Sequence, residues 1–366
     1  MPSVDWENVL ILQTGFLGDT VLTLPLIAEV RWRFPVRKLT LLCQPSSREL
    51  LQDHPAIDEI VVDDKKNKDR GFAGLRRQAA ALAHKRFTLA LTPHKSLRSA
   101  LMLRLARIPT RVGFRQSRGW FLFGHRVARD GARHDVERNL SVLEAFGIRV
   151  EQCRRMIDLP VSPAVQTAVD GKLRALGILE NKPIIGINPG SVWPTKRWSA
   201  EGFARLIQMI RQTTECQVAL FGGADDAAVV DAVLDRCARD AISLQGKISL
   251  RELPAAIRRC RVFVTNDSGP MHVAVATRVP TVALFCATTP DLGFYPYSEH
   301  AIVVEKDLSC RPCGTHGGQR CPLGHQACSQ LIPAESVRNA VDKLLHAEQP
   351  ALDAQLESFR PEFLTV

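Results

Sequence analysis

Five stretches of this chain gather residue types that can do chemistry. The first is "TGFLGDT" (residues 14–20), which places Gly15, Gly18 and Asp19 just after the apolar run "NVLILQ". The two glycines stand three apart with no third following. That is neither a dinucleotide fingerprint nor a Walker loop. A carboxylate repels phosphate, so Asp19 has two readings. It caps the next helix, whose N-terminus favours negative charge, or it is a general base aimed at a hydroxyl. The second stretch, "INPGSVWPTKRWSAEGF", brings Asn188, Ser191 and Lys196 to a strand end ahead of a helix that starts near Ser199. A lysine there is either a solvated surface charge or the neutraliser of a diphosphate. The third, "TNDSGPMH", ends a strand near Asn266, with Ser268 or Gly269 suited to capping and Pro270 to the first helical turn. Its backbone N–H groups and positive helix end form an anion site, with Asp267 on the loop and His272 one turn in. Ordinary helix capping is the plainer reading. The fourth, "LFGGADD", offers Asp225 or Asp226 to ribose hydroxyls, or simply caps a helix. The fifth, "CRPCGTHGGQRCPLGHQAC", sets Cys310, Cys313, Cys321 and Cys328 in a C-x2-C-x7-C-x6-C array, with His316 and His325 nearby. Four such thiols can hold zinc. An iron–sulfur cluster, redox disulfides or free thiols are the other readings.

These loops need rigid elements behind them. Short apolar runs at 8–13, 38–44, 57–64 and 88–94 alternate with helical patterns, and the alternation restarts with runs at 183–190, 216–223, 260–266 and 280–286. Strands alternating with helices predict parallel sheets covered on both faces. Two α/β units in tandem follow, with a boundary near 160 to 182 and no internal sequence repeat. In open α/β sheets, ligands bind at the carboxyl ends of the strands, where four of the five stretches fall.

Composition narrows the class. The chain has 366 residues, 45% hydrophobic and 23% charged, enough for two ordinary domains. Apolar runs are too short for a membrane span, and the start "MPSVDWENVL" lacks the charge and apolar stretch of a signal peptide. The ten cysteines therefore read first as thiols of a reducing compartment. Net charge is +10, and residues 65–138 hold nineteen Lys or Arg against four Asp or Glu. The block is either a solvated basic face or a surface for an anionic partner. Nucleic acid is disfavoured, because no zinc-finger or RNA-recognition pattern is present and aromatics are few.

Taken together, "GFLGDTVLTLPLI", "NPGSVWPTKRW" and "TNDSGPMHVAVA" resemble the ADP-heptose:lipopolysaccharide heptosyltransferases of glycosyltransferase family 9, over roughly residues 8–346. The resemblance is nearest to the type that adds a second heptose. It implies the GT-B class: two Rossmann-like doubly wound domains facing across a cleft. The expected layout is an acceptor domain at 1–165, a nucleotide-sugar domain at 166–332, and a helix at 333–347 crossing back to the first domain. It also implies inverting transfer, with Asp19 as general base. Lys196 and the amides at Ser268 and Gly269 stabilise the ADP leaving group. Asn188, Ser191, Asp225, Ile248, Asp267 and His272 complete the donor site. Gly15, Gly18, Arg98, Arg115 and Arg118 are assigned to a lipid A/inner-core acceptor. No cofactor is required for catalysis, and the cysteine array is a structural feature able to take zinc. The implied setting is a monomer on the cytoplasmic face of a Gram-negative inner membrane. A GT-B nucleotide-sugar epimerase and a non-catalytic binding module are the rival classes. The first needs acid/base groups on both sides of the sugar, and only Asp19 is so placed. An intact Asp19 and Lys196 count against the second.

Overall fold

The computed structural model describes residues 4–348, 356 and 358–366. It divides into two units, Met1–Asp158 and Leu159–Val366. In the first unit β1 (Asn8–Leu12), β2 (Lys38–Cys43), β3 (Glu59–Val62), β4 (Leu89–Thr92), β5 (Thr110–Phe114) and β6 (His125–Val127) form a parallel sheet of order β3-β2-β1-β4-β5-β6. Central strand β1 is apolar on both faces, with Val9, Leu10, Ile11 and Leu12 fully buried, as a strand covered by helices on both sides must be.

The second unit repeats this order. Here β7 (Ile184–Asn188), β8 (Gln217–Leu220), β9 (Ile242–Ser243), β10 (Cys260–Asn266), β11 (Thr281–Phe285), β12 (Ala301–Glu305) and β13 (Glu362–Thr365) run β9-β8-β7-β10-β11-β12-β13. In each sheet the strand order reverses beside the first strand of the unit, between β1 and β4 and between β7 and β10. Such reversal points open a crevice at the carboxyl ends of the strands. The loops after β1 and β4, and after β7 and β10, are thereby selected as sites.

The division falls earlier than the expected 165/166. Helix Pro163–Ala175 packs on helix Leu253–Arg258, and the Leu159 N–H donates to the Ala276 carbonyl at 3.1 Å. Helix Ala334–His346 commits its apolar face to the sheet of its own unit. Val337, Ala340, Val341 and Leu344 join a core with Val262, Ile302 and Val304. An amphipathic helix goes where its stripe can be buried, and here its own strands supply that surface.

Candidate active site

After β1 the chain turns directly into the short helix Leu17–Val21, with Asp19 in its first turn. One carboxylate oxygen, Oδ2, accepts a 2.6 Å hydrogen bond from the Phe16 N–H, so the capping reading is correct as far as it goes. A Cβ at position 15 would stand 2.4 Å from the same Oδ2. Gly15 is therefore a glycine because the carboxylate occupies its side-chain space. Gln13 accepts from the Gly15 N–H at 3.0 Å, while the Thr14 carbonyl accepts from Gln44 at 2.9 Å and from the Lys65 ammonium at 2.5 Å. The loop is held from several sides and presents Asp19 half-buried at the strand end.

Three residues at this end were not singled out from sequence: Gln44, Lys65 and His94. Each follows a different strand, β2, β3 or β4. The general rule that loops after parallel strands converge was the signal available. His94 sits within 3.3 Å of the Thr14 hydroxyl and 3.0 Å of Ser99. Burial, then Lys65 and Lys95, push its pKa down to about 4, so the ring is neutral at pH 7. Burial also lowers the Lys65 ammonium, with Asp63 and Asp19 opposing.

The arginines assigned to the acceptor separate. Arg98 does not extend to solvent: its guanidinium pairs with Asp63 at 2.8 and 3.2 Å and donates to the carbonyls of Asp69 and Gly71. It pins helix Leu97–Leu105 to the loop after β3. Arg115 and Arg118 are exposed on the segment between β5 and β6. Gly18 lies beside Asp19 in the same short helix.

At the reversal point of the second sheet, Lys196 ends a single 3-10 turn and pairs with Asp267 at 2.5 Å, both largely buried. The Thr288 hydroxyl donates to the same Asp267 carboxylate at 2.7 Å. Ser268 is the N-cap residue of helix Gly269–Ala276 by backbone conformation. Its hydroxyl makes no capping bond and instead meets Thr265 at 3.3 Å. His272 is buried, its Nδ1 has no hydrogen-bond partner, and its pKa is pushed down to about 4 by burial, which outweighs Asp267. An unpaired buried ring nitrogen is costly. Asp267 and Lys196 lie close enough to act on this ring electrostatically.

Asn266 organises the pocket from behind. Its Oδ1 accepts from the Trp198 N–H at 2.9 Å, and its Nδ2 donates to the Pro189 carbonyl at 2.9 Å. Asn188 donates to the Gly190 carbonyl at 3.1 Å, and the Ser191 carbonyl accepts from Arg197. Trp198 is buried against Phe203, with its indole N–H on the Ile332 carbonyl. Asn266→Ala is expected to destabilise the protein by about 1–3 kcal/mol for each buried group left unpaired, readable as a lower urea midpoint with the m-value unchanged.

In "GADD", Asp226 donates nothing but accepts from the Gly223 N–H at 2.9 Å, and it fills the space where a Gly190 side chain would lie. Asp225 is exposed on the outer side of that turn. The half-buried Ile248 lies in the loop after β9, which is stitched to the same turn by Gln245 at 2.9 Å.

By sequence the cysteine array is open to zinc, an iron–sulfur cluster, disulfides or free thiols. Among the described residues, no group of three or more His, Cys, Asp or Glu is arranged to hold a metal ion, and all ten cysteines are free thiols. Cys313, Cys321 and Cys328 line one small cavity, and Cys310 lies close enough to Cys313 and Cys328 to act on them electrostatically. The six cysteines outside the array are buried.

Comparison with known proteins agrees with this architecture. The model of glycosyltransferase family 9 (heptosyltransferase) matches residues 75–322. The chain is 29% identical to lipopolysaccharide heptosyltransferase 3 of Escherichia coli K12, across 92% of this chain and 97% of that protein. The crystal structure of a family 9 glycosyl transferase from Veillonella parvula superposes with a TM-score of 0.82 at 26% identity, covering 94% and 98% of the two chains. The E. coli ADP-heptose lps heptosyltransferase II superposes at 0.75 and 25%, covering 92% and 98%. The two doubly wound units are of GT-B type, and the chain belongs to glycosyltransferase family 9, the heptosyltransferases.

Proposed function

We propose that this enzyme moves a heptose from ADP-heptose to the inner core of lipopolysaccharide, a lipid A–Kdo acceptor, with inversion at the anomeric carbon. The observation that carries the reading is a division of labour. Asp19 lies at the reversal point of one sheet, and Lys196 with the Ser268–Gly269 helix start lies at that of the other. Asp19 removes the proton from the acceptor hydroxyl as its oxygen attacks the anomeric carbon. The bond from that carbon to the ADP oxygen breaks on the opposite side. Lys196 and the backbone N–H groups at Ser268 and Gly269 take up the charge that develops on the diphosphate. Asn188, Ser191, Asp267 and His272 shape the donor pocket, and Asp225 and Ile248 serve the ribose and adenine. Gly15 and Gly18 border the acceptor. The scheme draws its positive charge from the chain itself and requires no cofactor.

An anionic membrane surface fits the exposed face beyond β5. Leu97, Leu105, Trp120 and Phe121 are exposed there beside Arg104, Arg115, Arg118 and Arg126, and Arg126 lies over the Trp120 ring. Aromatic rings with adjacent arginines suit a lipid headgroup layer. No helix among the described residues is long and apolar enough to cross a membrane, so the proposed association is peripheral, on the cytoplasmic side, by a monomer.

The test is a release assay with purified protein. ADP is expected to form from ADP-heptose only when a Kdo–lipid A acceptor is present. Release without acceptor, or conversion of the donor to an epimer, would overturn the transfer reading.

A further inference from the structure

The cysteine-rich loop does something its thiols do not advertise. Its segment Gly317–Gly318 lies directly on the 3-10 turn that carries Lys196. The Thr195 N–H and hydroxyl both reach the Gly318 carbonyl, at 3.2 and 2.9 Å, and the Gly318 N–H lies 2.7 Å from the same hydroxyl. A side chain at 317 would stand 2.9 Å from Lys196 Cγ and 3.0 Å from Thr195 Oγ1, and Gly317 has a φ of +74°. Both space and backbone conformation therefore demand glycine. The other end of the loop is fixed as firmly. Arg311 donates to the carbonyls of Phe285 and Thr288 at 2.8 and 2.6 Å, pairs with Glu305 at 2.9 Å, and also bonds the Cys286 and Lys306 carbonyls. The Cys313 N–H donates to the Ala287 carbonyl at 2.8 Å. These contacts bracket Thr288, whose hydroxyl holds Asp267. One loop thus reaches both members of the Lys196–Asp267 pair, one through Thr195 and the other through Thr288.

We infer that the cysteine-rich loop is a brace that sets the position of Lys196, and that Thr195, Gly317 and Gly318 are positioning residues for leaving-group stabilisation. This rests on the reading that Lys196 neutralises the departing diphosphate. A lysine has four rotatable bonds, and a misplacement of about 1 Å can cost about 100-fold in rate. Thr195 is buried and its hydroxyl bonds only within this brace, so its effect on turnover must pass through its neighbour.

The experiment is a double-mutant cycle on the full chain, reading donor kcat, KM and ADP affinity. Thr195→Val keeps the side-chain shape and removes the hydroxyl. It is expected to lower kcat by about 10- to 100-fold, and Thr195→Ser to restore most of that loss. Gly317→Ala, which presses on the lysine stem, is expected to act in the same direction. In a Lys196→Ala background, Thr195→Val should add little, because the group it positions is gone. Wild-type turnover in Thr195→Val, or losses that simply multiply in the double variant, would overturn the brace. Wild-type turnover in Lys196→Ala alone would overturn the role of Lys196 and the brace with it. The two failures are thereby told apart.

Discussion

Asp19→Asn is expected to reduce transfer by about 100- to 10,000-fold, the usual contribution of a positioned general base, while ADP binds as before. The substitution is informative because of what it leaves intact. The Asp19 carboxylate caps its own helix through the Phe16 N–H, and an asparagine oxygen accepts that bond equally well. Shape is preserved too, so the contact with Gly15 remains acceptable. What is lost is the ability to take a proton and the negative charge that faces Lys65. Asp19→Ala would mix two effects, since losing a cap costs about 1 kcal/mol on its own. Parallel measurements of turnover, ADP affinity by calorimetry and thermal midpoint separate them. An Asn variant that turns over within a few-fold of wild type would remove Asp19 from the chemistry and leave it a cap.

The second large effect concerns Lys196, where stability and activity should part company. Lys196→Met removes the cation from a largely buried pair and strands the Asp267 carboxylate, which keeps its hydrogen bond from the Thr288 hydroxyl. Breaking one side of a buried ion pair costs about 3–5 kcal/mol. Removing a fixed donor to a developing oxyanion costs about 100- to 1,000-fold in kcat. Lys196→Met/Asp267→Asn should recover most of the stability, because no unpaired charge remains, but none of the turnover. Denaturation midpoints and kcat measured on wild type, single and double variants test this directly. Recovery of activity in the double variant would show that Lys196 serves only to balance Asp267.

The central strands were legible in the sequence because they are buried on both faces and read as largely apolar runs, β1 and β11 above all. The lateral ones were not. Thr110–Phe114 and His125–Val127 carry arginine or histidine inside very short strands, and Ile242–Ser243 is a two-residue pairing. Pairing partners supplied from far along the chain make them strands, and local pattern does not. The shared strand order of the two units was equally hidden, since topology is kept by backbone pairing and leaves no repeated residues behind. Among the candidate residues, Asp19, Lys196 and Asp267 could be picked out because each lies in a segment that follows an apolar run. Asn266 was seen only as a strand end. Its value comes from partners 68 and 77 positions away, a separation no local window reaches. The pairing of Arg98 was hidden for the same reason, its partner Asp63 lying 35 positions earlier.

The way Asn266 grips the loop after β7 has a consequence for directed evolution of donor choice. Its bonds fix Pro189 and Trp198 from the sheet side, so the segment is anchored at both ends. Val192, in the middle, is 69% exposed. Libraries that diversify Val192 while keeping the anchors should retain folded clones at high frequency, whereas randomising the anchors should mostly yield protein that fails to express. The loop is thus already partitioned into a frame to conserve and a position to vary.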